Sequence, residues 1–290
     1  DSGVDAVLLT TPAYFHPEQF EAVVDKGKHC YLEKPVAIDA PGCRRIIEAG
    51  KKAEGKLCVT LGLQRRYGDE YTEAKRRVDN GDLGIIASGR AQWLGGDLKR
   101  DPRQPSWSEQ EFQIRNWYFF RGLSGDIIIE QNVHNIDICN WFIGTHPVRA
   151  VGMGGRKART DIGDVFDHFN IVFEYPGGVH VSFSSTQFQK GWNDVSEQLF
   201  GSKGSVDMKY GRITGENPWR FKGPRSSNFH ITNAVNAFVD GIQSGTNRND
   251  SLYGGLSTMT AVLARTAAYN RKETTWDEVY NSNETLAPKF

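Results

Sequence analysis

Three clusters of residues carry side chains that could do chemistry. The first is Thr10-Thr11-Pro12 followed by His16. Two hydroxyls and an imidazole at a strand-to-helix turn suit ribose or phosphate oxygens, because a helix N-terminus presents free N–H groups. An ordinary turn capped by Thr and Pro uses the same residues. The second is Glu33-Lys34-Pro35. Proline biases Lys34 toward extended geometry and permits a cis bond. An ammonium held this way can donate to a substrate hydroxyl and lower its pKa as hydride leaves. A solvated surface ion pair is the alternative. The third is Glu130, His134, Asp137 and Trp141, spaced four, three and four, hence on one face of a helix. A carboxylate–imidazole–carboxylate ladder is the arrangement of an oriented general base. A polar stripe with a structural histidine is the alternative.

The elements that must position these groups follow from hydrophobic periodicity. Residues 5–11 form a short apolar run, as in a strand buried on both faces of a parallel sheet. Phe20, Val23 and Val24 recur at helical spacing after Pro17, and Gly27 ends the pattern. His29 to Glu33 reads as a strand, Cys43, Ile46, Ile47 and Gly50 as one face of a helix, and Leu57 to Leu63 as a strand. Residues 1–66 therefore predict β-α-β-α-β, half of a doubly wound sheet. Tyr71, Ala74 and Val78 mark a helix over 69–81. Gly89 to Leu94 is strand-like, Asp97 to Gln113 reads as a long polar loop, and Ile127 to Ile143 as one strong helix closed by Gly144. His168 to Tyr175 and Val179 to Gln187, flanking Pro-Gly-Gly, form a hairpin. Val179, Val181 and Phe183 share one face of it. Two helical stripes close the chain: Val235, Phe238, Val239 and Ile242, then Leu256, Met259, Leu263 and Ala267. The fold class is α/β: a partial Rossmann domain over 1–67, then an α+β domain over 68–290 with an open, mainly antiparallel sheet.

Composition narrows the function classes. The 290 residues hold 35 Lys+Arg and 35 Asp+Glu, a balance that argues against a nucleic-acid partner. No apolar run approaches the ~20 residues of a membrane helix, so a soluble protein is expected; the compartment is not indicated. The four cysteines contain no CxxC pair and read as buried free thiols, and the seven histidines show no metal-ligand spacing. No metal is expected. Gly152-Met153-Gly154-Gly155 falls short of a G-x-G-x-x-G loop and reads as a turn. Trp93, Trp107, Trp117 and Trp141 are candidates for a cleft that stacks on sugar rings.

The run Asp5 to Pro12, with His16, Gly27-Lys28-His29 and Glu33-Lys34-Pro35, resembles the glucose–fructose oxidoreductase / inositol dehydrogenase (Gfo/Idh/MocA) family. The likeness continues through Leu63 to Tyr67, the helix with His134 and Asp137, Gly201 to Ser205, Tyr253 to Ser257 and Thr275 to Glu278. It implies a Rossmann domain binding NAD or NADP and a catalytic domain acting on a sugar, polyol or derivative. By the same likeness Thr10, Thr11, Pro12, His16, Glu33, Lys34 and Pro35 border the cofactor. Gln64, Arg65 and Trp117 lie on the nicotinamide side. Lys34 is the catalytic lysine and His134 the general acid/base, oriented by Glu130 or Asp137. Glu130 stands where the family usually has Asp. The family's first β-α-β, with its glycine-rich loop, is expected before residue 1, which would need about 80–130 residues more. A glycosidase using tightly held NAD and a non-catalytic sugar-binding protein are the rival readings. A homodimer or homotetramer pairing through the open sheet is expected, although helices could instead cover the face with Val179, Val181 and Phe183.

Overall fold

A computed structural model describes residues 3–188 and 190–290. In chain order the elements are β1 (Ala6–Leu9), α1 (His16–Asp25), β2 (His29–Leu32), α2 (Ala40–Ala53), β3 (Val59–Leu61), α3 (Asp69–Asp79) and β4 (Ile86–Gly95). Then come α4 (Glu109–Arg115), α5 (Arg121–Ser124), α6 (Ile127–Glu130), α7 (Val133–Ile143), β5 (Arg149–Gly155), β6 (His168–Tyr175) and β7 (Val179–Gln187). The rest are β8 (Asp194–Gly201), β9 (Gly204–Asp207), β10 (Arg212–Gly215), β11 (Trp219–Arg220), α8 (Ser227–Ser244), α9 (Ser251–Asn270), β12 (Thr274–Thr275) and α10 (Trp276–Tyr280).

The first three strands form a parallel sheet in the order β1-β2-β3. The apolar runs of β2 and β3 are buried on both faces, α1 and α2 covering one and α8 the other, whereas β1, expected to be buried on both, leaves Leu8 exposed at the edge of the sheet. Asp39 caps α2 by accepting the N–H of Gly42 at 2.8 Å. The second sheet runs β11-β10-β9-β8-β4-β7-β6-β5-β12, antiparallel except where β4 pairs with β7. Alternation along β7 buries Val181 and Phe183 and exposes His180 and Ser182. The buried face shares one core with α7 and α9, through Ile136, Cys139, Met259 and Leu263. The face expected to pair with another subunit through Val179, Val181 and Phe183 is therefore covered by helices, and the opposite face of the sheet is the open one. All four cysteines are buried and unpaired. Among the described residues no helix is long and apolar enough to cross a membrane.

Three sequence expectations need correction. Residues 109–115 of the expected loop form α4, because Ser108 caps it by accepting the N–H of Glu111 at 3.1 Å. The Gly152–Gly155 segment lies inside β5 rather than in a turn, paired with β6. The helix expected from Ile127 to Ile143 is broken into α6 and α7. Asn132 N–H reaches back five residues to the Ile127 carbonyl at 3.1 Å, which widens one turn and ends the α6 register.

Candidate active site

The carboxyl ends of β1, β2 and β3 converge, which is where open α/β sheets bind ligands. Thr10 is exposed there, and the Thr11 hydroxyl donates to Gln19 Oε1 at 2.6 Å. His16 begins α1 after Pro12 and a single turn of 3-10 helix. It is buried, and Nδ1 lies 2.8 Å from the Pro35 carbonyl. Burial lowers its pKa to about 4, so the ring is neutral at pH 7. Its Nε2 is buried without a hydrogen-bond partner among the described residues. Glu33 follows β2, and its carboxylate packs against Gly62 so closely that a β-carbon there would overlap it. Burial raises the Glu33 pKa.

Lys34, joined to Pro35 by a cis peptide, points away from this sheet toward α6. Its Nζ donates to Glu130 Oε1 and to the Glu130 carbonyl, each at 2.7 Å. Glu130 ends α6, whose start is fixed by Asp126. That residue holds a positive φ of 100° and accepts from the N–H of Ile127 (2.6 Å), the N–H of Phe166 (3.1 Å) and the Tyr269 hydroxyl (2.5 Å). Such backbone strain persists only where the surroundings over-determine it.

His134 is the second residue of α7, buried, stacked on Trp93 with centroids 6.0 Å apart and planes at 19°. Burial, reinforced by the charges of Lys34 and then Arg65, lowers its pKa well below 6.5. The ring is therefore neutral at pH 7. Neither carboxylate orients it, contrary to the expected ladder, and its Nδ1 is buried without a partner among the described residues. Glu130 is taken by Lys34. Asp137 is taken by Arg66, which grips it with Nε at 2.8 and 3.1 Å and a terminal nitrogen at 2.8 Å, and by the Ser257 hydroxyl at 2.7 Å. Charged pairs outcompete a neutral imidazole for a carboxylate, and the fork–carboxylate geometry is the strongest of them.

Around these groups stand Arg65, Gln64 and the tryptophans offered by the sequence, together with Glu197, Asn135 and Tyr118, which the motifs did not single out. Arg65 pairs with buried Glu197, whose Oε1 also accepts from Asn135 Nδ2 at 2.6 Å. The Arg65 guanidinium lies 5.7 Å from the Trp93 ring centre, behind the stack on His134. Tyr118 stacks on Trp117 at 4.0 Å, and its hydroxyl pKa is raised by burial and then by the charge of Glu130. Gln64 occupies a half-buried 3-10 turn after β3. Of the four tryptophans, Trp93 flanks His134. Trp107 lies beneath Arg115, and Trp141 beneath Arg66 beside a separate cavity of about 380 Å³. A signal for Glu197 was present: it shares the alternation of β8 with buried Leu199, a position where a carboxylate needs a partner. Asn135 and Arg66 carry no comparable sequence signal.

Residues 1–61 match the family model described as "Oxidoreductase family, NAD-binding Rossmann fold", and residues 71–207 match that of the GFO/IDH/MocA C-terminal domain. The chain belongs to the Gfo/Idh/MocA oxidoreductase family. An inositol 2-dehydrogenase of Rhizobium meliloti (strain 1021) is 25% identical over 250 residues, covering 83% of this chain and 69% of that protein. A scyllo-inositol 2-dehydrogenase (NAD(+)) of Bacillus subtilis (strain 168) is 25% identical over 209 residues, covering 71% of this chain and 55% of that one. In three dimensions the chain is similar to the aldose-aldose oxidoreductase of Caulobacter crescentus complexed with glycerol. The TM-score is 0.74 at 22% identity, over 95% of this chain and 80% of the other. A levoglucosan dehydrogenase complexed with NADH and levoglucosan gives a TM-score of 0.74 at 18% identity, over 95% and 80%. At these identities the structures establish a shared Gfo/Idh/MocA fold and no more.

Proposed function

We propose that this Gfo/Idh/MocA protein is an NAD(P)-dependent dehydrogenase that oxidises a secondary alcohol of a sugar, polyol or sugar derivative. In this reading residues 1–67 belong to the cofactor domain and 68–290 form the catalytic and assembly domain. The observation that carries it is the Lys34–Glu130 pair beside neutral His134. An ammonium has three N–H donors. Glu130 accepts two, so the third is available to a substrate oxygen.

The strand ends fit a dinucleotide. A β-carbon at Gly62 would displace the Glu33 carboxylate from the strand ends, and among the described residues His16 Nε2 is a buried polar atom without a partner. Thr10, Thr11, Pro12, His16, Glu33 and Pro35 would border the cofactor, with Gln64 and Trp117 toward the nicotinamide. The bound nicotinamide supplies the hydride acceptor. Lys34 binds the reacting oxygen and stabilises negative charge as it develops there. His134, neutral because it is buried between two cations, takes the hydroxyl proton at Nε2. Glu130 fixes the Lys34 ammonium. Asp137, bound to Arg66 and Ser257, fixes α7 and does not touch the imidazole. Arg65 holds Trp93 against His134 and stands behind the site.

The expected oligomer uses the face left open by the helices. Val151 and Val172 are cross-strand partners on it, and both are exposed together with Met153. A second copy of this chain covers that patch in the proposed assembly.

The test is steady-state oxidation of polyols and aldoses with each dinucleotide. Lys34→Ala and His134→Ala should each lower turnover by roughly 10²–10⁴, with circular dichroism unchanged. Full activity in either variant removes that residue from the mechanism. Sugar release without net reduction of the dinucleotide would instead indicate glycosidase chemistry on the same scaffold.

A further inference from the structure

Lys34 and Glu130 come from segments far apart in the chain, and both segments are held on a third element, α9. Lys34 lies four residues before Ile38, and Glu130 five residues after Gly125. Arg265, within α9, donates from one terminal nitrogen to the Ile38 carbonyl at 2.6 Å and to the Gly125 carbonyl at 3.0 Å. The two segments touch there, since a β-carbon on Gly125 would sit 3.1 Å from Ile38 Cβ. A terminal guanidinium nitrogen carries two hydrogens, so one atom can serve two carbonyls. Arg265 is buried, and it uses this nitrogen for main-chain oxygens rather than for a carboxylate. Taking a cation out of water is costly, and the two carbonyls offset part of that cost.

Two further side chains of α9 hold the same segments. Thr258 Oγ1 accepts the N–H of Val36 at 3.4 Å, and the Tyr269 hydroxyl donates to Asp126 Oδ2 at 2.5 Å. Residues 258, 265 and 269 are spaced seven and four, hence on one stripe of the helix. Val36 and Ile38 follow Lys34-Pro35. Gly125 and Asp126 precede α6, a single turn that ends in Glu130. The arms from the stripe to the ion pair are therefore short. A shift of either carbonyl is carried to the contact between Lys34 Nζ and Glu130 Oε1 at 2.7 Å, and such a bond weakens steeply with misalignment.

We infer that Arg265 is a positioning residue: by holding the Ile38 and Gly125 carbonyls together it sets Lys34 against Glu130, and so fixes the direction of the ammonium donor left for substrate. The catalytic part of this inference rests on the sugar or polyol dehydrogenase reading. The geometric part, the dependence of the ion pair on Arg265, does not. Arg265 acts through the pair and is assigned no contact with substrate. A donor fixed in advance needs little reorganisation when charge develops on the reacting oxygen.

The test is acylation of lysines by acetic anhydride, read residue by residue by mass spectrometry on the whole chain, which reports the pair without turnover. An ammonium that donates to a carboxylate and a carbonyl must give up both bonds before it is acylated. Lys75 is the internal control. It is as enclosed as Lys34, with 16 against 17% of the side chain exposed, and pairs with Asp79 on α3. In Arg265→Met the Lys34 rate should rise about tenfold, the typical worth of a charge-assisted hydrogen bond, with the Lys75 rate within about twofold of wild type. An equal rise at both lysines is general loosening and overturns the inference, as does an unchanged Lys34 rate. Oxidation of polyols and aldoses by the same variant should fall roughly 10–100-fold in kcat, with KM within about threefold. Full kcat beside a raised Lys34 rate overturns the catalytic part. A cavity of about 190 Å³ borders Arg265, so water can reach the freed carbonyls. If Arg265→Met does not fold, Arg265→Gln, which tolerates that water, is read the same way. A labelling difference in a chain whose wild type oxidises none of these alcohols overturns the dehydrogenase reading alone and upholds the geometric part.

Discussion

His16 shows what burial does to a single side chain at this site. The ring is enclosed at the start of α1, and its pKa is lowered to about 4 chiefly by desolvation. A group whose folded pKa lies below its unfolded value of 6.5 contributes full stability above pH 6.5. That contribution falls as the pH drops toward 4, because the unfolded chain takes up the proton first. Between pH 7 and pH 4.5 the loss is roughly 2 kcal/mol, from the worth of a pKa shift of this size. Urea unfolding of wild type and His16→Gln at the two values measures it. The pH sensitivity of the variant should be smaller by about that amount, and equal sensitivity would show that His16 is not held neutral. The same logic keeps the His134 ring unprotonated at pH 7, which leaves a nitrogen open to accept a proton while burial and two nearby cations make it a weaker base than a free imidazole.

At the scale of elements, the site depends on short pieces held at their ends. The widened turn after α6 lets Glu130 face Lys34 while Gln131 faces Gln187. An unbroken helix over Ile127 to Ile143 would have kept Glu130, His134 and Asp137 on one stripe. The aromatic segment Trp117–Phe119 is fixed by the loop before β6. Asp164 N–H bonds the Phe119 carbonyl at 2.9 Å, and Gly163 packs directly on that carbonyl with φ of +69°. A β-carbon at 163 meets both a left-handed backbone and main-chain atoms that cannot swing away. Gly163→Ala should cost about 2–4 kcal/mol. Thermal unfolding measures this, and an unchanged Tm would show that the segment is held elsewhere.

For the whole molecule, the second sheet has one face closed by α7 and α9 and the other open. Val151, Met153 and Val172 are 47, 69 and 42% exposed there, side by side across β5 and β6. Clustered apolar exposure of this kind marks association surfaces. A lysine pair, Met153→Lys with Val172→Lys, places like charges at the centre of a self-complementary interface. Light scattering after size exclusion should show wild type as a dimer or tetramer and the double variant as a monomer. A variant with wild-type mass would move the interface off this face.

The β-α-β-α-β order, the hairpin around Pro-Gly-Gly, the covering helices and the family likeness were legible in the sequence. Each rests on periodicity, turn residues or ordered motifs, signals that are local in the chain. Lys34 and the His134 region could be proposed as chemistry for the same reason. The partners of these groups were not. Glu130 pairs across 96 residues with Lys34, Asp137 across 71 with Arg66, and Glu197 across 132 with Arg65. Helical spacing places two carboxylates on one stripe but says nothing of which distant cation arrives to claim each of them. That choice is made by desolvation. A buried carboxylate takes the opposite charge that the fold brings to it, and only the tertiary structure shows which one that is.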